Sequence, residues 1–510
     1  CMFKMNYGFL SVLPVILAVT VSIVFKNVIL ALFLSVLLGV LILVGGHPIT
    51  AVTKMIQEYF FVQLTDSYNA GVLVLLVFIG GFIKLMEKSG GAAAFAERVS
   101  HIINTRVKAQ IAAWIGGIII FFSDLGTPLI VGPIFEPLFD KLKVSREKLA
   151  WILDSTASPV AVLVPFIGWG VYIMGLIQKE YEALGIAESD WTAFIQSIPF
   201  NIYSILAVLM VPIVAYTGYE FSAMAKAEKR TQDTGKLFWE HSKPMRMPEI
   251  IDNAKNSNPA LIFLPIFVLL VSLFGILAPL GFPLKQVPGG TFRAALSTAY
   301  LFAAVTLMAL MLYYKVNTFE ETFNTYVKGM SSMMSVAVIL VLSWSLSSVS
   351  GQLGTADYIT QLTKGTVPAW AIPAIIFIIG AIMSFATGTS WGTYAILMPI
   401  VIPMAVALGS PVHACIGAVL SGGMFGDHCS PISDTTILSS TGAGCDHVDH
   451  VKTQLPYSIL NAVISFGAYI VAGVTGSPIA LVLAIAVMVV VLPVISKAYG
   501  HRIKNTSIAE

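Results

Sequence analysis

Apolar residues run along this chain in long unbroken blocks, without the one-faced period of a soluble helix or the alternation of a half-buried strand. A helix that crosses the hydrocarbon layer needs about 20 mostly apolar residues. On that measure the predicted spans are 8–25, 28–46, 70–86, 157–177, 198–216, 259–281, 293–314, 330–349, 455–474 and 478–496. Two longer blocks do not fit. Residues 109–140 are cut by Ser123-Asp124-Leu125-Gly126-Thr127-Pro128, and residues 370–408 by Thr387-Gly388-Thr389-Ser390. The first is too long for one crossing and too short for two. Such blocks predict re-entrant hairpins or broken helices with the polar residues at their tips. One long tilted helix is the plain alternative for the first.

The densest polar element is Gly426-Asp427-His428-Cys429-Ser430-Pro431-Ile432-Ser433-Asp434-Thr435-Thr436. Ionisable residues at membrane depth are costly and by default belong to an ion or substrate path. The glycine and proline are expected to break the helix here. Carbonyls freed in that way persist only against protein or a water-filled cavity.

Composition sharpens this picture. Hydrophobic residues make up 57% of the 510 positions and charged residues 11%, against roughly 25% charged in a soluble domain. With a mean hydropathy of +0.85, the chain is predicted to be an all-α polytopic membrane protein with little outside the bundle. A net charge of +2 leaves no basic footprint for nucleic acid. The four cysteines, Cys1, Cys415, Cys429 and Cys445, form no secreted-domain framework. Residues 8–25 follow Lys4 as a signal peptide would. No small-residue cleavage site comes after them, and the next block starts at 28, so the two are read as a helical hairpin. There is no P-loop or dinucleotide fingerprint, so an ion gradient is the simpler driving force.

Loop charge orients the blocks. Arg98, Arg106 and Lys108 precede the 109–140 block, and Lys141, Lys143, Arg146 and Lys148 follow it. Lys226, Lys229, Arg230, Lys236, Lys243 and Arg246 mark a third basic segment. All three are expected in the cytoplasm, so the first block must enter the membrane and return. The second block has Lys364 alone on one flank and no basic residue at 409–414, so it is expected to open outward.

Landmarks recur in the same order. Phe78-Ile79-Gly80-Gly81 is echoed by Ser343-Trp344-Ser345-Leu346, and Gly126-Thr127 by Gly388-Thr389. Asp154-Ser155-Thr156-Ala157-Ser158-Pro159 is echoed by Asp427-His428-Cys429-Ser430-Pro431. Opposite orientation of the copies makes an inverted-topology repeat, with a midplane site and alternating access. Two unrelated Gly/Thr-bearing helices are the alternative. The implied divisions are 1–66 (N-terminal scaffold hairpin), 67–216 (first repeat), 217–257 (cytoplasmic linker), 258–329 (scaffold helices), 330–475 (second repeat) and 476–510 (C-terminal helix and tail).

Sodium is a hard cation and prefers carboxylate, hydroxyl and carbonyl oxygens. Asp427, Ser430, Ser433, Asp434, Thr435 and Thr436 offer such a set, with Asp427, Ser430 and Asp434 as direct Na⁺ ligands. A carboxylate there holds either a cation or a proton, which is the minimal basis of antiport. The plain alternative is a solvated loop in which Ser433 or Asp434 caps a helix starting at Thr435. The first copy offers Asp124 with Gly126 and Thr127 at its tip, then Asp154, Ser155, Thr156 and Ser158. The second tip, Thr387, Gly388, Thr389 and Ser390, has no acid. Thr393 reads as interhelical glue, and Gly39, Gly45, Gly46, Gly80 and Gly81 as close-packing glycines. His428, Cys429, Cys445, His447 and His450 suggest a zinc enzyme, although their spacing matches no standard motif. His428 is either a proton-sensitive neighbour of Asp427 or a packed imidazole.

The run 426–436, continuing through Cys445-Asp446-His447 to Gln454-Leu455-Pro456-Tyr457, resembles the hallmark of the NhaC family of Na⁺/H⁺ antiporters, within the larger ion-transporter superfamily. The resemblance implies an inverted-repeat fold with paired hairpins, a scaffold, and a transport domain that moves as an elevator. It implies a homodimer in the lipid bilayer of the bacterial plasma membrane, with Na⁺ and H⁺ as partners, no further cofactor and no enzymatic activity. Relatives called NhaC include Na⁺-coupled carriers of amino acids and of malate with lactate. A Na⁺-coupled transporter of an amino acid or small organic acid is therefore the second reading. Carried over residue by residue, the resemblance points to Asp427, Ser430, Ser433, Asp434 and Thr435. Asp124, Asp154 and the 387–390 tip rest on the repeat.

Overall fold

The computed structural model describes residues 7–100, 103–245, 256–282, 285, 287–363 and 367–503. Cys1, Lys4, Arg246 and Lys364 lie outside them. The N-terminal region holds α1 (Leu13–Phe25), α2 (Val28–Leu43), α3 (Pro48–Lys54) and α4 (Phe61–Thr65). The first half continues with α5 (Ser67–Lys88), α6 (Gly91–Ser100), α7 (Arg106–Ile119), α8 (Gly126–Lys141), α9 (Arg146–Thr156), α10 (Ser158–Ala161), α11 (Gly168–Leu184), α12 (Asp190–Ser197) and α13 (Ile202–Thr217). Strand β1 (Tyr219–Phe221), α14 (Ser222–Thr234), α15 (Ala260–Leu277), α16 (Gly289–Tyr313) and α17 (Phe319–Ser332) lead to the second half. That half comprises α18 (Met334–Leu353), α19 (Thr355–Thr363), α20 (Ile372–Thr387), α21 (Ser390–Leu408), α22 (Val412–Cys429), α23 (Asp434–Gly442) and α24 (His447–Thr475). Helix α25 (Ile479–Tyr499) and strand β2 (Gly500–Arg502) follow. Among the described residues nine helices are long and apolar enough to cross a membrane, or up to eleven with two bent pairs.

The order of elements after α5 repeats after α18. Each half has a short amphipathic helix, a helix, a break, and a helix with two prolines four residues apart. Pro133 and Pro137 lie in α8, and Pro399 and Pro403 in α21. A further helix and a Ser-Pro break follow in both. The outer helices are shared crosswise. Helices α16 and α17 pack on α5, where Gly80 meets Gly329, and α2 packs on α18, where Gly39 meets Val349.

Two expectations about spans change. Residues 157–177 are not one helix: α10 ends at Ala161, and the chain turns through 162–167 before α11. Pro165 has no N–H for the carbonyl four residues back, so the ladder stops there. Helix α22 was not among the predicted spans, because it is rich in Gly, Ala and Ser. Fifteen of its residues are buried, and small side chains let it approach α20 closely. A Cβ on Gly426 would sit 2.2 Å from the Phe385 amide nitrogen. Gly426 is thus a packing glycine inside the helix, not a break. The break falls at Ser430, which is extended (φ −74°, ψ 131°), and Pro431.

The halves also clasp each other. A Cβ on Gly442 of α23 would lie 2.1 Å from the Pro128 carbonyl of α8, and one on Gly132 would lie 2.3 Å from the Gly442 carbonyl. The described part of the basic linker, up to residue 245, is structured. Strand β1 pairs antiparallel with β2, with Glu220 opposite His501. Buried ion pairs fix this layer. Arg230 meets Glu147 at 2.9 Å, Lys148 meets Glu220 at 2.6 Å, and Arg106 meets Glu228.

Candidate functional site

The two Ser-Pro breaks bring acids from both halves into one polar cluster. Asp427 lies two residues before the end of α22 and is 5% exposed. Its Oδ1 accepts a hydrogen bond from Ser433 Oγ at 2.7 Å, and its Oδ2 accepts one from Ser390 Oγ at 2.7 Å. Ser433 occupies the N-cap position of α23, yet it makes no side-chain cap, because its hydroxyl is given to Asp427. The capping alternative therefore fails for Ser433. Ser390 opens α21 just after Gly388, whose φ of +71° ends α20 in the left-handed region that glycine adopts at no steric cost. Ser430 Oγ donates to the Phe385 carbonyl at 2.8 Å, and Thr435 Oγ1 lies 3.1 Å from Ser433 Oγ.

Asp154, at the end of α9, is 1% exposed. Its Oδ2 accepts from Thr436 Oγ1 at 3.1 Å and from Gln454 Nε2 at 2.6 Å, both from the second half. Its Oδ1 has no hydrogen-bond partner. The Gln454 amide also donates to the His428 carbonyl, and Thr436 Oγ1 lies 3.5 Å from the Asp427 carbonyl. Two side chains thus tie the backbone of the second break to the acid of the first. His428 is held by Ser155 Oγ at 3.2 Å and Tyr203 OH at 2.8 Å. At the first tip, Asp124 Oδ2 accepts from Ser158 Oγ at 3.5 Å, while Ser123 Oγ donates to Glu87 at 2.6 Å.

Among the described residues no fixed cation serves these acids: no lysine or arginine pairs with Asp124, Asp154 or Asp427. The nearest ionisable base to Asp154 is His450, with Nε2 4.0 Å away. Both nitrogens of that ring are engaged, by Gln454 and Ser440 at 2.8 Å each. A buried carboxylate with only neutral donors is costly when ionised. It is stable when protonated or when it holds a mobile cation. The oxygen set around Asp427 suits a small hard cation.

Several expected residues direct their polar groups away from Asp427 and Asp154. Asp434 is exposed, at the first position of α23. Thr435 and Thr436 turn inward, so the residue before them faces out, where the helix N-terminus favours a negative charge. Thr156 Oγ1 bonds back to the Ile152 and Leu153 carbonyls. Thr127 Oγ1 returns to Ile120 and Ser123, and Thr387 Oγ1 to Met383. Thr389 lends its carbonyl to Thr393, which is a bond within α21 and not between helices. Gly126 begins α8 rather than ending a helix. The zinc donors do not gather: among the described residues no three His, Cys, Asp or Glu side chains form a metal group. His447 binds Ser440 and the Pro431 carbonyl instead.

Gln454 and Tyr203 are site residues that the sequence reading missed. Gln454 follows His447 and His450 at the i, i+3, i+7 positions of one face of α24, a polar stripe that was open to view. The prolines also correct the repeat register. Pro133 and Pro137 lie seven and eleven residues after Gly126, and Pro399 and Pro403 lie seven and eleven after Gly392. Gly126-Thr127 therefore corresponds to Gly392-Thr393, not Gly388-Thr389. Asp124 then stands where the second half has Ser390.

Long apolar helices around buried acids at broken helices are the architecture of a multi-pass membrane secondary transporter. The Na⁺/H⁺ antiporter family model matches residues 1–166 and 160–474, and the chain belongs to that family. An uncharacterized protein of Haemophilus influenzae is 33% identical over 94% of both chains. The malate-2H⁺/Na⁺-lactate antiporter of Bacillus subtilis is 32% identical over 40% of this chain and 44% of its own length. Among solved structures, the antimetabolite efflux pump MtrF of Neisseria gonorrhoeae shares the fold. Its TM-score is 0.55 over 84% of this chain and 85% of that one, at 13% identity.

Proposed function

We propose that this protein exchanges Na⁺ for H⁺ across the bacterial plasma membrane by alternating access. The observation that carries the reading is Asp427, a buried acid with two hydroxyl donors and no fixed cation. Sodium and a proton compete for that carboxylate. When Na⁺ binds, the Ser390 and Ser433 oxygens turn their lone pairs toward it. When a proton binds, the same hydroxyls rotate to serve the neutral acid. Asp154 is the second acid, and its open Oδ1 gives it room for a proton or an ion. In this reading α7–α8 and α20–α21 are re-entrant hairpins opening to opposite sides. They travel with the Ser-Pro breaks as an elevator against a scaffold of α1, α2 and α15–α17, which also joins two copies in a homodimer within the bilayer.

The test is flux in proteoliposomes without organic solute. Antiport predicts that an imposed Na⁺ gradient drives proton movement; its absence rejects the proposal. A second reading, Na⁺-coupled carriage of an amino acid or small organic acid, draws on the acid-free second tip at Thr387, Thr389 and Ser390. It also draws on the Bacillus relative, named for malate and lactate. Solute-dependent Na⁺ flux over a panel of amino acids and organic acids, with no Na⁺-driven proton movement in their absence, would favour it.

A further inference from the structure

A cavity of about 190 Å³ lies between α11, α18, α19 and α21, and none of the residues assigned above belongs to it. Glu180, Ser350 and Pro399 line it, together with Ser347, Thr355 and Asp357. Glu180 is 2% exposed, and its Oε1 has no hydrogen-bond partner. Ser350 is 6% exposed, and its Oγ has none either. A third oxygen comes from the backbone. Pro403 has no N–H to give the Pro399 carbonyl, so that carbonyl is released from the helical ladder of α21. The same device operates one turn earlier. Pro399 releases the Ala395 carbonyl, and there Ser343 Oγ takes it at 2.6 Å.

We propose that Glu180, Ser350 and the Pro399 carbonyl form a second Na⁺ site, separate from the one at Asp427. An acid, a hydroxyl and a freed carbonyl are the oxygen classes a dehydrated alkali ion takes. The ion supplies the charge that the buried carboxylate otherwise lacks. The two sites share helix α21, which carries Ser390 at the first and Pro399 at the second. Tyr172 OH donates to the Trp391 carbonyl at 2.6 Å, next to Ser390. Glu180 is eight residues further along α11, or about 12 Å at the helical rise. That is too far to share one ion and near enough for two ions to act in series.

The test is equilibrium binding of radioactive Na⁺ to the purified, detergent-solubilised chain. Asp427→Asn should lose binding at the first site and keep a saturable component. Adding Glu180→Gln should remove that component, and adding Ser350→Ala instead should weaken it about tenfold, as loss of one ligand worth about 1.4 kcal/mol would. Elution of each variant as a single symmetric peak establishes folding, and Ser350→Ala supplies the result if Glu180→Gln fails that check. Residual binding in Asp427→Asn that Glu180→Gln leaves untouched overturns the second site. So does the absence of residual binding in Asp427→Asn. A changed pH profile of flux in Glu180→Gln with unaltered Na⁺ binding also overturns it, in favour of a protonated acid. The Asp427 arm reads the first site separately, so failure of either site is seen on its own.

Discussion

Two sets of buried acids in this protein are treated in opposite ways. In the layer built by the linker, Glu147, Glu220 and Glu228 each face a buried arginine or lysine. In the cluster between the Ser-Pro breaks, Asp154 and Asp427 face only hydroxyls and an amide. The first set has its counter-charge built in and cannot exchange it. The second set has none built in, so it is stable only when protonated or when it holds a cation taken from solution. Under the proposed function, fixed pairing belongs to structure and missing pairing to transport.

Breaking this contrast gives the largest effect at Asp427. Asp427→Asn should reduce Na⁺-driven flux to background while leaving thermal stability unchanged or higher, since a neutral amide needs no counter-charge; retained flux would place coupling elsewhere. Glu228→Gln should do the reverse. It strands Arg106 and should cost about 3–5 kcal/mol of stability, read as a lower melting temperature, with flux per folded molecule preserved. The double variant Arg106→Met with Glu228→Gln should recover most of the loss. Gln454→Ala leaves Asp154 with threonine hydroxyls only; it should cost about 1–3 kcal/mol and shift the Na⁺ concentration for half-maximal flux. Asp434→Asn, at an exposed acid, should stay within about 0.5 kcal/mol with near-normal flux, and a dead variant would put Asp434 in the ion path. Cys429→Ser should change least, because a hydroxyl can donate to the Phe425 carbonyl that the thiol now bonds.

Much of the membrane architecture was legible, because apolar block length depends on bilayer thickness and not on tertiary contacts. The Gly388 and Pro431 breaks were legible for a similar reason: positive φ and a missing N–H are local properties. Asp427 and Ser433 are legible from the chemistry of one motif, and Ser390 from the polar break at the second tip and its place in the repeat. What stayed hidden depends on which way a side chain faces. Asp434 and Thr435 are adjacent in the sequence, but a helix turns about 100° per residue, so one faces out and the other in. Helix α22 was hidden by its small residues, which lower hydropathy while allowing close packing on α20. Tyr203 arrives from α13 with no local signal, because only the packing of α13 against α22 brings it to His428.

The donors to Asp154 come from residues 282 and 300 positions further along the chain. A ribosome adding about 5–20 residues per second needs tens of seconds to cover that distance. Throughout that interval the newly inserted first half carries an acid whose donors have not yet been made. During insertion Asp154 must therefore stay protonated or in contact with water until Thr436 and Gln454 emerge. Chains stopped before that point should be prime substrates for membrane quality-control proteases.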